Sequence, residues 1–282
     1  TNTWNSSYTV QAFGGESNNS NPNSFFFVIA KEDNTVVTFT PTQPILDATG
    51  ASLFNENQTT PANTLYPANG TYTVTLNKGQ VFNAMGGFSP AGNGLDLSGT
   101  KVSTTCDKTI TVFGGNGRCF IQGSAGCTST TGSDHLIQQM FPSVAWGTKY
   151  LTAATANTAP NYFRIYFQDP TAVVKVNGTT LTAANLVSVN GTPVYYQYQS
   201  DLPLSITSDK PINVSQFMLT PGCTSNSAID AGPEMIILSP VEQAISSVVF
   251  FSPTSGSAII DGSGAYTSYM NVIIPSSKTA SF

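Results

Sequence analysis

The chain has 282 residues, a formal net charge of -5 and only 9% charged residues, where soluble domains average about 25%. With 10 Lys+Arg against 15 Asp+Glu there is no basic stripe to neutralise phosphates, which argues against nucleic acid and anionic membranes as partners. Ser, Thr and Asn supply the polarity at roughly a third of the chain, and with 24 Gly and 11% aromatics the balance suits strands joined by many turns, spread over more than the roughly 100–150 residues of one domain.

No cationic-apolar leader precedes Thr1 and no apolar run approaches the roughly 18–20 residues of a membrane span, so the chain reads as mature or excised, without membrane insertion. The first strand is predicted at residues 4–12. Ser17-Asn18-Asn19-Ser20-Asn21-Pro22-Asn23 offers no apolar side chain except a proline and reads as an exposed loop. Residues 25–30, 35–39 and 71–76 are β-branched and aromatic, with partial alternation, and predict strands. Asn69-Gly70, Asn177-Gly178 and Asn190-Gly191 favour tight hairpins, because both residues accept positive φ. Residues 108–113 predict a hairpin arm that turns through Gly114-Gly115-Asn116-Gly117. Residues 134–140 predict a short helix, with Ser133 or Asp134 as N-cap and Pro142 ending it.

Several blocks recur in the same order, a signal of repeated architecture. Trp4 to Ala12 lines up with Trp146 to Ala154, and Phe25-Phe26-Phe27-Val28-Ile29-Ala30 with Tyr162-Phe163-Arg164-Ile165-Tyr166-Phe167. Asn34 to Phe39 matches Pro170 to Val176, and the pair Asp96 to Val102 and Asp107 to Val112 matches Asp201 to Ile206 and Asp209 to Val214. A third copy begins: Asp134 to Pro142 is echoed by Glu234 to Pro240, Val248 to Phe251 follows, and Tyr269 to Pro275 takes the place of the Phe25 and Tyr162 strands.

His135, beside Asp134 and near Ser133, suggests a nucleophile, base and orienter, but neighbours on one short element do not converge as a triad must. A structural role for Asp134, His135 and Trp146 at the module junction is the preferred reading. One His and four scattered Cys give no zinc spacing. Glu32-Asp33-Asn34, Asp96, Asp107, Asp209 and Asp261-Gly262 offer oxygens for a loop calcium without the Asp-x-Asp-x-Asp-Gly pattern, so solvated turn carboxylates are preferred and no cofactor is expected. No pair of carboxylates is nominated for glycoside hydrolysis.

Cys106, Cys119, Cys127 and Cys223 fit an oxidising extracellular setting. Cys106 to Cys127 and Cys119 to Cys127 are equally open pairings, and Cys119 and Cys223 hold equivalent repeat positions. Tyr195, Tyr196 and Tyr198 are possible surface contacts, together with Phe88 and Tyr66, although the alternation of Tyr196 and Tyr198 also suits packing between modules.

Together the blocks resemble the N-terminal domain of the IgG Fc-binding protein family, found in mucin-like animal proteins and in many bacterial surface proteins. The carriers are residues 26–30 with 34–38, Leu76-Asn77-Lys78-Gly79-Gln80-Val81, Asp96 to Val102 with Asp107-Lys108, and above all the run from Asp134-His135-Leu136 to Trp146-Gly147. The resemblance implies an extracellular, non-enzymatic, all-β binding or adhesion domain. The family's cysteine usually stands directly before Asp-His-Leu, whereas here residues 128–133 separate Cys127 from Asp134.

The expectation is an all-β fold of tandem β-sandwich-like modules, residues 1–133 and 134–233 with the start of a third at 234–282, and one short helix at each junction. Its expected role is adhesion at a bacterial surface, through a glycan or protein ligand. A rival reading is a structural subunit that binds neighbouring copies of itself by strand addition at open edges. A carbohydrate-active enzyme ranks last.

Overall fold

The β-branched and aromatic runs fold into strands, and the computed structural model describes residues 3–17, 22–46, 64–123, 127–130, 132–155, 158–224, 232–249, 271–275 and 277. The fold is all-β, and helical geometry among the described residues is confined to short 3-10 turns. The first part holds β1 (Ser7–Thr9), β2 (Ser24–Ala30), β3 (Thr35–Thr40), β4 (Ile45–Leu46), β5 (Thr64–Tyr66), β6 (Tyr72–Leu76), β7 (Val81–Met85), β8 (Lys101–Thr104), β9 (Ile110–Cys119) and β10 (Asp134–Gln139). The second holds β11 (Gly147–Thr152), β12 (Asn161–Phe167), β13 (Val174–Val176), β14 (Thr179–Thr180), β15 (Leu186–Val189), β16 (Thr192–Ser200), β17 (Leu204–Met218) and β18 (Glu234–Ile237).

In the first part, one sheet runs β1-β8-β3-β6 and another runs β10-β9-β2-β7. Alternation along each strand sends Tyr8, Val37, Phe39 and Val102 from the first sheet, and Phe26, Val28, Val112 and Leu136 from the second, into one core. In β2 the period of two is clean: Phe26, Val28 and Ala30 are buried, and Phe25, Phe27 and Ile29 are half-exposed on the other face.

The second part pairs its strands in a matching order. Strand β12 lies between β16 and β17, as β2 lies between β7 and β9, and β18 pairs with the end of β17 as β10 pairs with β9. Strand β17 does the work of β8 and β9 together, its start pairing with β11 and β13 and its end with β12 and β18. Phe163, Ile165, Val174, Ile206 and Val214 form its core. The other face of this sheet is not free: Tyr162, Phe217, Met235 and Ile237 belong to the core cluster of the first part. Strand β12 is consequently buried at every residue.

Several expectations are corrected. Residues 134–139 form strand β10 and no helix: Leu136 points into the core while His135 and Ile137 point out. A run this short gains little as a helix, whereas the free edge of β9 offers it a full ladder of hydrogen bonds. The junctions after it carry 3-10 turns, Ser143–Ala145 and Val241–Gln243. Gly114 to Gly117 do not turn, since β9 runs straight through them. The glycines serve close approach: a Cβ on Gly114 would lie 2.6 Å from the Gln11 carbonyl oxygen, and one on Gly115 would lie 1.8 Å from that of Leu136. Asn177-Gly178 and Asn190-Gly191 do close hairpins, β13–β14 and β15–β16, with φ of 48° at both asparagines. Asn69, at φ 63°, instead joins strands of different sheets.

Without a turn in β9, Cys106 is not carried to Cys127. Cys119 ends β9 buried in the core, and Cys127 pairs with Cys223 in the 3-10 turn Pro221–Cys223, their Cα atoms 5.5 Å apart. Cys106 and Cys119 are free thiols, one exposed and one buried. Residues 18–21 of the expected loop lie outside the described residues, as do Asp261, Phe250, Phe251, Tyr269 and Met270 of the third copy. Residues 271–275, which the third copy was expected to use as a strand, carry no strand assignment.

Candidate binding face

The outward side chains of β2 lie on a sheet face that the described residues leave half-exposed. Phe25 stands opposite Met85 on β7 and Gly115 on β9, Phe27 opposite Asn83 and Phe113, and Ile137 on β10 opposite Gly115. The rings form a row: Phe27 and Phe113 stack with centroids 4.7 Å apart, Phe25 and Phe27 with 6.3 Å, and His135 lies on Phe25 at 5.7 Å with 13° between planes. His135 Nδ1 sits 3.1 Å from the Gly117 carbonyl oxygen, which fixes the imidazole in that stack. Between them opens a hollow of about 420 Å³, lined by Phe25, Phe27, Asn83, Met85, His135 and Ile137.

Asn23 forms part of the same lining. Its Nδ2 donates to the Gly86 carbonyl at 2.9 Å, while its buried Oδ1 has no donor among the described residues. Apolar rings with a few amides at the rim suit an apolar or aromatic contact, oriented by hydrogen bonds.

The matching face of the second sheet is closed by the first part. Arg164 Nη1 donates to Asp96 Oδ2 and to the Ala12 carbonyl, both at 2.8 Å, and its Nε donates to Gln197 Oε1 at 3.2 Å. The guanidinium carbon lies 4.1 Å from the centre of the Phe13 ring and 4.4 Å from that of Tyr195. Gln11 adds a second buried link, donating to Asn213 and accepting from Ser215. Burial holds the Tyr166 phenol up at about 12, against the pull of Arg164, so it stays protonated beside Ser98 Oγ at 3.2 Å. Every charge and amide here has a partner, as a closed interface requires.

The predicted residues fall as follows. Trp146 is buried near the junction, packs with Tyr166, Val194 and Tyr195, and donates from Nε1 to the Phe141 carbonyl at 3.3 Å. Asp134 is exposed and its Oδ1 accepts from the His135 amide at 2.7 Å. His135 stands on the open face. Tyr195 is buried over Arg164, and Tyr196 and Tyr198 pack half-buried against the second core. Among the acidic loops, Glu32 accepts from the Thr109 amide, Asp33 from that of Lys78 and Asp209 from that of Val173, while Asp96 pairs with Arg164. Among the described residues no three His, Cys, Asp or Glu gather to hold a metal ion. Phe25, Phe27, Met85 and Ile137 were not singled out as contacts from sequence, although the alternation of β2 was there to read.

A family model described as IgGFc binding protein matches residues 1–281. The chain belongs to the IgGFc binding protein family. No curated protein and no solved structure matched. As a member of this family the chain carries a binding domain, and a disulfide is consistent with an extracellular location. No helix among the described residues is long and apolar enough to cross a membrane.

Proposed function

We propose that the chain is an extracellular, non-enzymatic adhesion domain built of two tandem β-sandwich modules and the start of a third, and that it holds a protein ligand on the outer face of the sheet β10-β9-β2-β7. The matching strand orders of the two parts support the modular reading. The observation that carries the functional one is the hollow of about 420 Å³ floored by the Phe25 and Phe27 rings, with Ile137 41% exposed at its side. Apolar surface gathered in this way marks an interaction site more often than single exposed residues do. The family description, IgGFc binding protein, favours a protein ligand.

The test is a panel of immobilised proteins, including IgG Fc fragments and mucins, with free glycans as controls. The native chain is compared with a Phe25→Ser/Ile137→Ser double variant whose fold is checked by urea unfolding. A protein ligand that loses at least about tenfold in affinity for the variant is the expected result, since removing two anchors costs more than about 1.4 kcal/mol. A ligand held equally by both proteins, or binding confined to glycans, overturns the proposal.

A further inference from the structure

The two sheets present outer faces of the same construction, and among the described residues one of them is occupied. By register, Tyr162 opposes Phe217 and Gln199, Arg164 opposes Ser215 and Gln197, and Met235 opposes Phe217. On the first sheet Phe25 opposes Gly115 and Met85, Phe27 opposes Phe113 and Asn83, and Ile137 opposes Gly115. Phe25 therefore stands where Tyr162 stands, Phe27 where Arg164 stands, and Ile137 where Met235 stands.

The occupant of the second face is an aromatic loop. The Phe13 ring lies 5.3 Å from that of Phe217, and the neighbouring Ala12 carbonyl and Asp96 carboxylate satisfy Arg164. A related contact occurs further along: Asn271 Nδ2 donates to the Ala154 carbonyl at 3.3 Å. In the sequence blocks Asn271 matches Arg164 and Ala154 matches Ala12. A polar residue at this block position thus twice reaches the alanine carbonyl of the preceding block.

The first face lacks both polar features. Phe27 has no donor for a carbonyl and no charge for a carboxylate, and Gly115 leaves out the ring that Phe217 provides. Ile137 is 41% exposed where its counterpart Met235 is fully buried.

We infer that this face docks a protein partner presenting an aromatic side chain on an uncharged loop, seated as Phe13 is seated on the second face. The partner's ring enters the hollow beside Phe25 and Ile137. Phe27 in place of Arg164 sets the selectivity, because a carboxylate brought there would be desolvated without a cation. The inference rests on the reading of this face as a protein-binding site and names what it selects.

The probe is a capped synthetic peptide with the sequence of residues 10–15, Val-Gln-Ala-Phe-Gly-Gly, together with forms carrying Ala or Asp in place of Phe. Each is titrated into the full chain and read by the ring-proton NMR signal of its single histidine, which stacks on Phe25. The expected result is a saturable shift in the millimolar range for the Phe peptide, at least about tenfold weaker for the Ala and Asp forms. The Phe27→Arg chain, which places a cation where the second face has Arg164, should gain affinity for the Asp form. No saturable shift, or equal shifts from the Phe and Ala peptides, overturns the inference. If a protein of the panel still requires Phe25 and Ile137 while the peptide fails, the partner class falls and the binding face stands. Failure of both removes the face as a site.

Discussion

Strands β2 and β12 hold the same place in their sheets, yet one is buried at every residue and the other only at every second residue. The difference lies in what each outer face was given to hold. Strand β12 carries Arg164 between Tyr162 and Tyr166, and the first part supplies a carboxylate, a carbonyl and a ring to meet it. Strand β2 carries three phenylalanines in a row, with half-exposed rings at Phe25 and Phe27. A buried charge demands a partner tailored to it, whereas a bare aromatic face accepts any loop of suitable shape and polarity. One strand position is thus an internal joint in one sheet and, on the function proposed above, a surface for recognition in the other.

The comparison breaks most severely if the clamp beside the closed face is removed. Cys127 and Cys223 are separated by 96 residues, so their bridge constrains a long loop of the unfolded chain. Its reduction, or Cys127→Ser, should lower stability by about 4–5 kcal/mol on the chain-entropy account, read as a fall in the urea midpoint. A change below about 1 kcal/mol would show that the bridge does little for the fold. In the same sample Cys106 should react with a thiol reagent in the folded state, and Cys119 only on unfolding, because burial both shields its thiol and pushes its pKa up.

Next in size is the closed joint itself. Arg164→Met removes the cation and leaves the Asp96 carboxylate, with a side chain 17% exposed, without its ion-pair partner. A loss of about 3–5 kcal/mol is expected. The equivalent change on the open face, Phe27→Ser, should cost about 1 kcal/mol, the ordinary cost of a point substitution. Urea unfolding of the two variants side by side checks the difference, and equal losses would mean that both faces are load-sharing surfaces of one core.

The all-β class, the strands at residues 25–30 and 35–39, and the two hairpins at Asn177-Gly178 and Asn190-Gly191 were legible because period and turn chemistry are local. Family membership was legible through the run from Asp134 to Gly147. What failed was long-range. The segment 134–140 fits either period, and only the waiting edge of β9 decides for a strand. The glycines at 114–117 read as a turn until the carbonyls of Gln11 and Leu136 are found against them. The cysteine pairing depends on where the ends of β9 and β17 come to lie. The candidate binding face was half visible: Phe25 and Phe27 alternate with buried residues in the sequence pattern, but the choice between core and contact turned on what covers each face. Tyr195 was nominated as a contact and is covered, because the face it belongs to is the joint.

The smallest effect concerns the strands that flank the two faces. By register Glu234 on β18 stands where Leu136 stands on β10, so a carboxylate occupies a position that is fully apolar in the first sheet. Burial pushes the Glu234 carboxyl above its ordinary value of about 4.5, Asp134 adds to the rise, and the Met235 amide and His135 oppose it. The folded chain therefore takes up this proton at a higher pH than the unfolded chain does. Between the two values stability grows as the pH falls through the folded value, and the gain is complete below about 4.5. Glu234→Gln supplies the uncharged form at every pH, so it should raise Tm at pH 7, by no more than about 1–2 °C because water screens a half-buried carboxylate. The difference from the native chain should shrink as the pH approaches 4.5. Paired melting curves from pH 4 to pH 8 read the difference directly, cancelling the other carboxylates, among them Glu32 and Asp169, whose lowered pKa values act in the opposite sense. A variant no more stable than the native chain at pH 7 would mean that β18 holds its carboxylate at no cost, and that its edge is as wet as the open face of the first sheet.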